Sequence, residues 1–288
     1  MRDCSRIILS RPERFRELKM NLAYTNPLAT FIRGHGCPSS AFTQLGDLTI
    51  DCYEPGIDIT FAAAGRLHKI TAQTPFTSWE ARKNFAPWEQ LTSLDLRPGV
   101  EGSFWVLLAA HCRNLENATF SINTIVGDPL PTVNVTMAHP TSLSVTFAPD
   151  DLSSIRVFDS FTFPVLTSLH MRAPDLSWRS PEHFYDQLRS LRMLNFIGPS
   201  EDLLKLLHHT PSLESLHVST GGWIFVGLNP LLFGLTVAGE SDPIVPDLKR
   251  LIITAVPARW SATSDLPPVG PLLKMVSSRT RYHTSVCP

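Results

Sequence analysis

Leucine and its aliphatic substitutes return along this chain at a spacing that a single helix or a single strand would not require. The pattern is L-x-x-L-x-L or a near variant. Clear copies are LGDLTI from Leu45, LTSLDL from Leu91, LENATF from Leu115, LTSLHM from Leu166, LRMLNF from Leu191, LESLHV from Leu213 and LKRLII from Leu248. Weaker copies are LHKITA from Leu67 and PTSLSV from Pro140. Successive starts lie 22, 24, 24, 25, 26, 25, 22 and 35 residues apart, and all but the last interval fall in the leucine-rich-repeat range. Side chains alternate along a strand, so the fourth and sixth places of a copy face one way and the fifth the other. Leu94 and Leu96 therefore go inward and Asp95 outward. One copy cannot fold alone: burying three apolar side chains yields roughly 5 to 9 kcal/mol, while ordering about 24 residues costs several times that. Stacking on both neighbours supplies the difference.

Breakers follow the strands where the chain must turn away: Pro75, Pro98 with Gly99, Pro174, Pro199, and Gly221 with Gly222. Proline cannot continue a ladder and glycine accepts a positive φ. Asparagine, which forms a buried ladder in regular repeats of this type, takes that place only as Asn123, so the repeats are irregular. Helical signals fall between the strands. SPEHFYDQLRSL has Ser180 as a cap, Pro181 in the first turn, and Phe184, Leu188 and Leu191 spaced for one face. PSEDLLKLLHH repeats the logic, EGSFWVLLAAHC and WEARKNF are shorter versions, and LNPLLFGLTV fills the long interval.

The pattern predicts an α/β leucine-rich-repeat solenoid, right-handed, with a curved parallel sheet and helices on the outer face. Residues 42–256 form the repeat domain, residues 1–41 a helical or loop lead, and residues 257–288 a cap or tail with a short helix after Pro267, Pro268 and Pro271.

Composition narrows the chemistry. Of the 288 residues 43% are hydrophobic, which supplies a sizeable core, and 25 basic against 26 acidic residues leave no global field to favour nucleic acid or an anionic membrane. Cys4, Cys37, Cys52, Cys112 and Cys287 are odd in number and never form a CxxC pair, against both a disulfide framework and a structural zinc site. The start has only Ile7 to Leu9 as a continuous apolar run, so a cytoplasmic or nuclear protein is expected. The sequons at Asn117 and Asn134 are then chance matches. The uncharged run from Gly221 to Gly239 is interrupted by glycines, Asn229 and Pro230, and reads as a buried helix, not a membrane span.

HHTPSLESLHV, residues 208–218, places His208, His209 and His217 near Glu214 as if for a metal. The repeat reading puts His208 and His209 at a helix end and His217 outward on a strand, and assigns no metal. His111 and Cys112 precede their copy as His209 and Thr210 precede theirs, which makes them structural. GHGCP at 34–38 lacks the spacing that cradles a phosphate. No catalytic signature appears, so neither a catalytic residue nor a cofactor is assigned.

What remains is the outward strand face. Its fifth places read Thr49, Thr71, Asp95, Thr119, Ser144, His170, Asn195, His217 and Ile252, and two places on stand Asp51, Gln73, Arg97, Ser121, Thr146, Arg172, Ile197, Ser219 and Thr254. Most are what any wetted sheet face carries. Asp95, Arg97, His170, Arg172, Asn195 and His217 are the larger, directional groups and are the candidate contacts for a protein partner on the concave face.

The chain resembles the F-box and leucine-rich-repeat proteins of basidiomycete fungi through WEQLTSLDL, LLAAHCRNLENATF, FTFPVLTSLHM, LLKLLHHTPSLESLHV and VPDLKRLIIT. CSRIILSRPERFREL is similar to the segment after the F-box helices in that family, with Cys4 in place of a tryptophan and Phe15 near the position of another. The resemblance implies repeats that hold a protein to be ubiquitinated. The F-box itself, with its LPxE opening, does not occur in these residues, so a cullin-ligase adaptor is a partner only if an F-box lies upstream. The expected function is non-catalytic protein recognition. The alternatives are a repeat scaffold unconnected with ubiquitin, and an enzyme or ligand-binding protein with a site in the 213–248 insertion beside Trp223 and Phe233.

Overall fold

A computed structural model describes residues 12–22, 42–52, 60–73, 76, 79–123, 134–147, 158, 160–172, 182–198, 200–220, 228–237, 243–255 and 269–286. Two compact units, Met1–Val165 and Leu166–Pro288, divide the chain. The expected turns at Pro75, Pro174, Pro199 and Gly221–Gly222, the segment 34–38, the Ser180 and Pro181 cap and Trp223 lie outside the described residues.

In the first unit, strands β1 (Glu17–Leu22), β2 (Asp47–Cys52), β3 (Lys69–Gln73), β4 (Ser93–Glu101), β5 (Asn117–Asn123) and β7 (Ser142–Phe147) form a sheet in that order. Every pairing in it is parallel. The short strands β6 (Val135–Thr136) and β8 (Phe161–Thr162) pair separately, also in parallel. In the second unit β9 (Ser168–Arg172), β10 (Met193–Ile197), β11 (Ser215–Thr220) and β12 (Arg250–Ala255) pair in parallel in sequence order.

The register is the one the leucine spacing predicts. Leu48, Ile70, Leu94, Ala118 and Leu143 are mutual partners across the first sheet, as are Leu169, Leu194, Leu216 and Leu251 across the second. All but Leu251 are buried. The opening leucines Leu45, Leu67, Leu91, Leu115, Leu166, Leu191 and Leu213 are buried without remainder.

Two backbone motifs turn that spacing into stacking. In the first, the carbonyl just before a strand accepts two successive N–H groups from the next repeat. Arg16, Gly46, His68, Thr92 and Glu116 do so in the first unit, and Thr167, Arg192 and Glu214 in the second. In the other, the N–H of the opening leucine returns to the carbonyl three residues back. Leu45 donates to Phe42, Leu67 to Ala64, Leu91 to Trp88, Leu115 to Cys112, Leu191 to Leu188, Leu213 to Thr210 and Leu248 to Val245. Each of those acceptor residues is buried, so the repeat has a fourth inward place that leucine spacing alone does not mark.

Helices return on the inward side of each sheet. In the first unit α1 (Trp79–Arg82), α2 (Gly102–His111) and the segments joining them to the strands contribute a run of aromatic rings to the core. Phe61, Phe76, Phe85, Trp88 and Phe104 form a chain of ring contacts with centroids 5.6 to 6.4 Å apart, and Trp105 packs on both Phe120 and Phe161. In the second unit α3 (Glu182–Gln187), α4 (Ser200–Leu207) and α5 (Leu228–Gly234) bury mainly leucines, with Leu203, Leu206, Leu207, Leu231 and Leu232 inside. At Gly234 on α5 a Cβ would stand 2.5 Å from Leu204 Cδ2 of α4, so any side chain there would have to displace the end of that leucine.

Three expectations need correction. The lead places no helix over residues 17–22: Glu17–Leu22 is a strand of the sheet. Its signal was Phe15-x-x-Leu18-x-Met20, a copy opening on phenylalanine, with Leu18 and Met20 in register with Leu48 and Ile50. Pro98 and Gly99 do not end their strand. β4 runs on to Glu101 through a bulge in which Arg97, Pro98 and Gly99 oppose Ser121 alone, because Leu96 pairs with Phe120 and Val100 with Ile122. A bulge tolerates the missing proline N–H, and it returns Val100 to the core, where it is fully buried. The tail helix α6 is not short: it spans Val269–Val286, with Pro271 in its first turn where no intrahelical N–H is needed.

Candidate outward strand face

The side chains opposite the core form the candidate site, and each unit carries its own part. In the first, Thr49, Thr71, Asp95, Thr119 and Ser144 are successive register partners. Asp95 stands in this row, but the bulge lifts Arg97 out of the row two places on. Arg97 folds back on Asp95, its Nε 3.1 Å from one carboxylate oxygen and 3.3 Å from the other. Beside the bulge lies an open hollow of about 440 Å³ lined by Asp95, Arg97, Thr119, Phe120, Ser121, Ser144 and Thr146. It offers hydroxyls along one wall and a carboxylate–guanidinium pair on the other.

In the second unit His170, Asn195, His217 and Ile252 are register partners, and Arg172, Ile197, Ser219 and Thr254 form the next row. His217 Nε2 lies 2.8 Å from Thr254 Oγ1, which holds the imidazole against β12. Burial, then the neighbouring His217 and Arg172, push the His170 imidazole below its ordinary value, so its neutral form is favoured. Asn195 Oδ1 is buried and meets no hydrogen-bond donor among the described residues. Asp95 and Arg97 are therefore together in one unit, and His170, Arg172, Asn195 and His217 together in the other.

The histidines that first suggested a metal have other places. His209 stacks on Tyr185 with centroids 4.3 Å apart, and His111 on Trp79 at 4.6 Å. In each pair a ring on one helix meets the imidazole closing the next. Cys112 and Thr210 occupy equivalent places behind these histidines, each donating its N–H back into its helix and accepting from the following leucine. Burial raises the Cys112 thiol far above its ordinary value, which keeps it protonated and unreactive. Among the described residues no three His, Cys, Asp or Glu groups converge as metal ligands. No described helix is long and apolar enough to cross a membrane. Of the insertion, Phe233 is exposed on α5.

Parallel strands one repeat apart, opening leucines in register and return helices on the inward side define an α/β leucine-rich-repeat solenoid. No family model and no curated protein matches the chain. Among solved structures it is similar to an internalin (inlF) from Listeria monocytogenes str. 4b F2365, at 13% identity and a TM-score of 0.30, over 95% of this chain and 92% of that one. A likeness at that level carries no weight, and the class rests on this chain's own strand register.

Proposed function

We propose that the chain is a non-catalytic protein-recognition module that holds its partner on the outward faces of its strands. The observation that carries this is the alignment of directional polar groups across neighbouring strands, with Asp95 and Arg97 beside an open hollow and His170, Asn195 and His217 in one register row. A repeat sheet presents such groups on a rigid surface, so little conformational freedom is lost on binding. The test is affinity capture from the native source with mass spectrometry, repeated with Asp95→Asn/Arg97→Gln and with His170→Ala/His217→Ala. Loss of the same protein from either variant is expected; capture unchanged in both removes this face from consideration.

The finer reading, the target-binding half of a ubiquitin-ligase receptor at work in the cytoplasm or nucleus, is supported only by the repeat phrases and post-F-box-like segment that resemble fungal F-box and leucine-rich-repeat proteins. An in-frame F-box upstream of Met1 that brings down a cullin-ligase adaptor would support it; an extended protein that recovers no adaptor turns the reading toward a scaffold unconnected with ubiquitin.

A further inference from the structure

The two units treat charge differently on their outward faces. In the first, carboxylates stand among the outward groups and hold nearby cations: Glu17 pairs with Lys19 at 2.8 Å and Asp95 with Arg97 at 3.1 Å, while Asp47 lies 3.3 Å from the His68 imidazole. In the second, the outward places read Ser168, His170 and Arg172 on β9, Met193, Asn195 and Ile197 on β10, Ser215, His217 and Ser219 on β11, and Arg250, Ile252 and Thr254 on β12. None is a carboxylate. The nearest acid in the chain leading into these strands, Glu214, is held by Lys249 at 3.0 Å.

Arg172 and Arg250 stand at opposite corners of this patch, in the last row of the first strand and the first row of the last. Both are exposed, and Arg250 is steadied by its Nε donating to Ser215 Oγ at 2.9 Å. Strands about 4.8 Å apart and places about 3.3 Å apart make the patch about 14 Å by 13 Å, with the Cα positions of the two arginines about 20 Å apart on the diagonal. That diagonal passes over Asn195 and His217, with exposed aliphatic groups on either side of it, Met193 at 47% and Ile252 at 40% of full exposure.

We propose that the outward face of the second unit binds an extended peptide segment of the partner that carries carboxylates among aliphatic side chains. This rests on the protein-recognition reading and names the chemistry of the partner. Among the described residues neither corner arginine has a carboxylate partner, which calls for anions, and exposed Met193 and Ile252 beside the diagonal call for apolar side chains, which a phosphate backbone does not offer. An extended segment of about six residues spans the diagonal, so acids near its two ends reach Arg172 and Arg250 while its middle crosses Asn195 and His217, with apolar side chains reaching Met193 on one side and Ile252 on the other. Arginine at both corners suits carboxylates through two parallel N–H donors.

Fluorescence anisotropy tests this with the full chain at low salt. The probes are a labelled peptide of about eight residues with two glutamates six places apart and valines between them, its glutamine-for-glutamate counterpart, and a labelled oligothymidine of the same length. Two charge pairs at an exposed rim correspond to about a tenfold preference for the glutamate peptide over the glutamine one. Arg172→Gln/Arg250→Gln is expected to abolish that preference, Arg172→Lys/Arg250→Lys to keep part of it, and Lys19→Gln in the first unit to leave it unchanged. Glutamate and glutamine peptides bound equally overturn the inference while leaving peptide recognition standing. Binding of neither peptide overturns it and withdraws support from recognition as well. Oligothymidine bound as tightly as the glutamate peptide, or a loss in Lys19→Gln equal to that in the arginine variant, also overturns it.

Discussion

Arg279 shows how a single side chain ties an element down. It is 9% exposed on α6, donates from Nε to the Leu235 carbonyl at 3.0 Å and from Nη1 to the Val245 carbonyl at 2.9 Å. Burial lowers its affinity for the proton, though a guanidinium stays charged throughout the usual pH range. Replacing it with alanine strands two carbonyls and removes a packed stem, so Arg279→Ala is expected to cost about 2 to 5 kcal/mol, measurable by urea denaturation. His170 makes a prediction of opposite character. Its folded-state proton affinity is depressed by burial first, then by His217 and Arg172. As pH falls through about 6.5 the unfolded chain takes up the proton before the folded one does, so the stability its neutral form contributes is present above that value and lost below it. The urea midpoint should therefore fall more between pH 7.5 and 5.5 in the native chain than in His170→Gln. An equal fall in both would show that His170 is not the group responsible.

At the scale of the element, the strand is the unit whose placement is most readable, because its inward and outward alternation is local. Leu216→Ala removes a fully buried side chain flanked on both sides by register partners, Leu194 and Leu251. It should cost about 2 to 5 kcal/mol by denaturation. Thr49→Ala, on the outward row of β2 between Lys19 and Thr71, should stay within about 0.5 kcal/mol. Similar losses from both would contradict the assigned faces. Two features of the elements escaped the pattern for identifiable reasons. β1 opens on Phe15 in place of leucine, and a spacing search tuned to leucine passes over it. The bulge in β4 was hidden because Pro98 and Gly99 are ordinary chain breakers. Only the pairing of Val100 with Ile122 shows that the strand resumes beyond them.

At the scale of the whole molecule, stacking makes each repeat depend on its neighbours, and the last repeat needs a cover. The inward face of α6 supplies contacts of that kind in the second unit. Met275 is buried, Ser278 Oγ accepts the Val237 N–H at 3.0 Å, and Arg279 reaches Leu235 and Val245. A chain ending before residue 269 is expected to expose Leu232, Leu235 and Val245 and to aggregate, seen as loss of the monomer peak in size-exclusion chromatography. A truncated chain that elutes as a stable monomer would show that α6 is dispensable.

Leucine periodicity by itself determined the number of residues per repeat, the strands that carry Leu48, Leu94, Leu169 and Leu216, and the face their side chains take outside the bulge. It could do so because a period-two alternation and a turn near every 24 residues are local properties of the chain. Tertiary structure alone decided what the outward groups do: that Arg97 turns back on Asp95 beside a hollow, that His217 leans on Thr254, and that Tyr185 and Trp79 take up His209 and His111. These partners lie far apart in the chain or depend on a bulge. They meet because stacking brings separate repeats to within a few ångströms, a distance that no spacing along one strand contains.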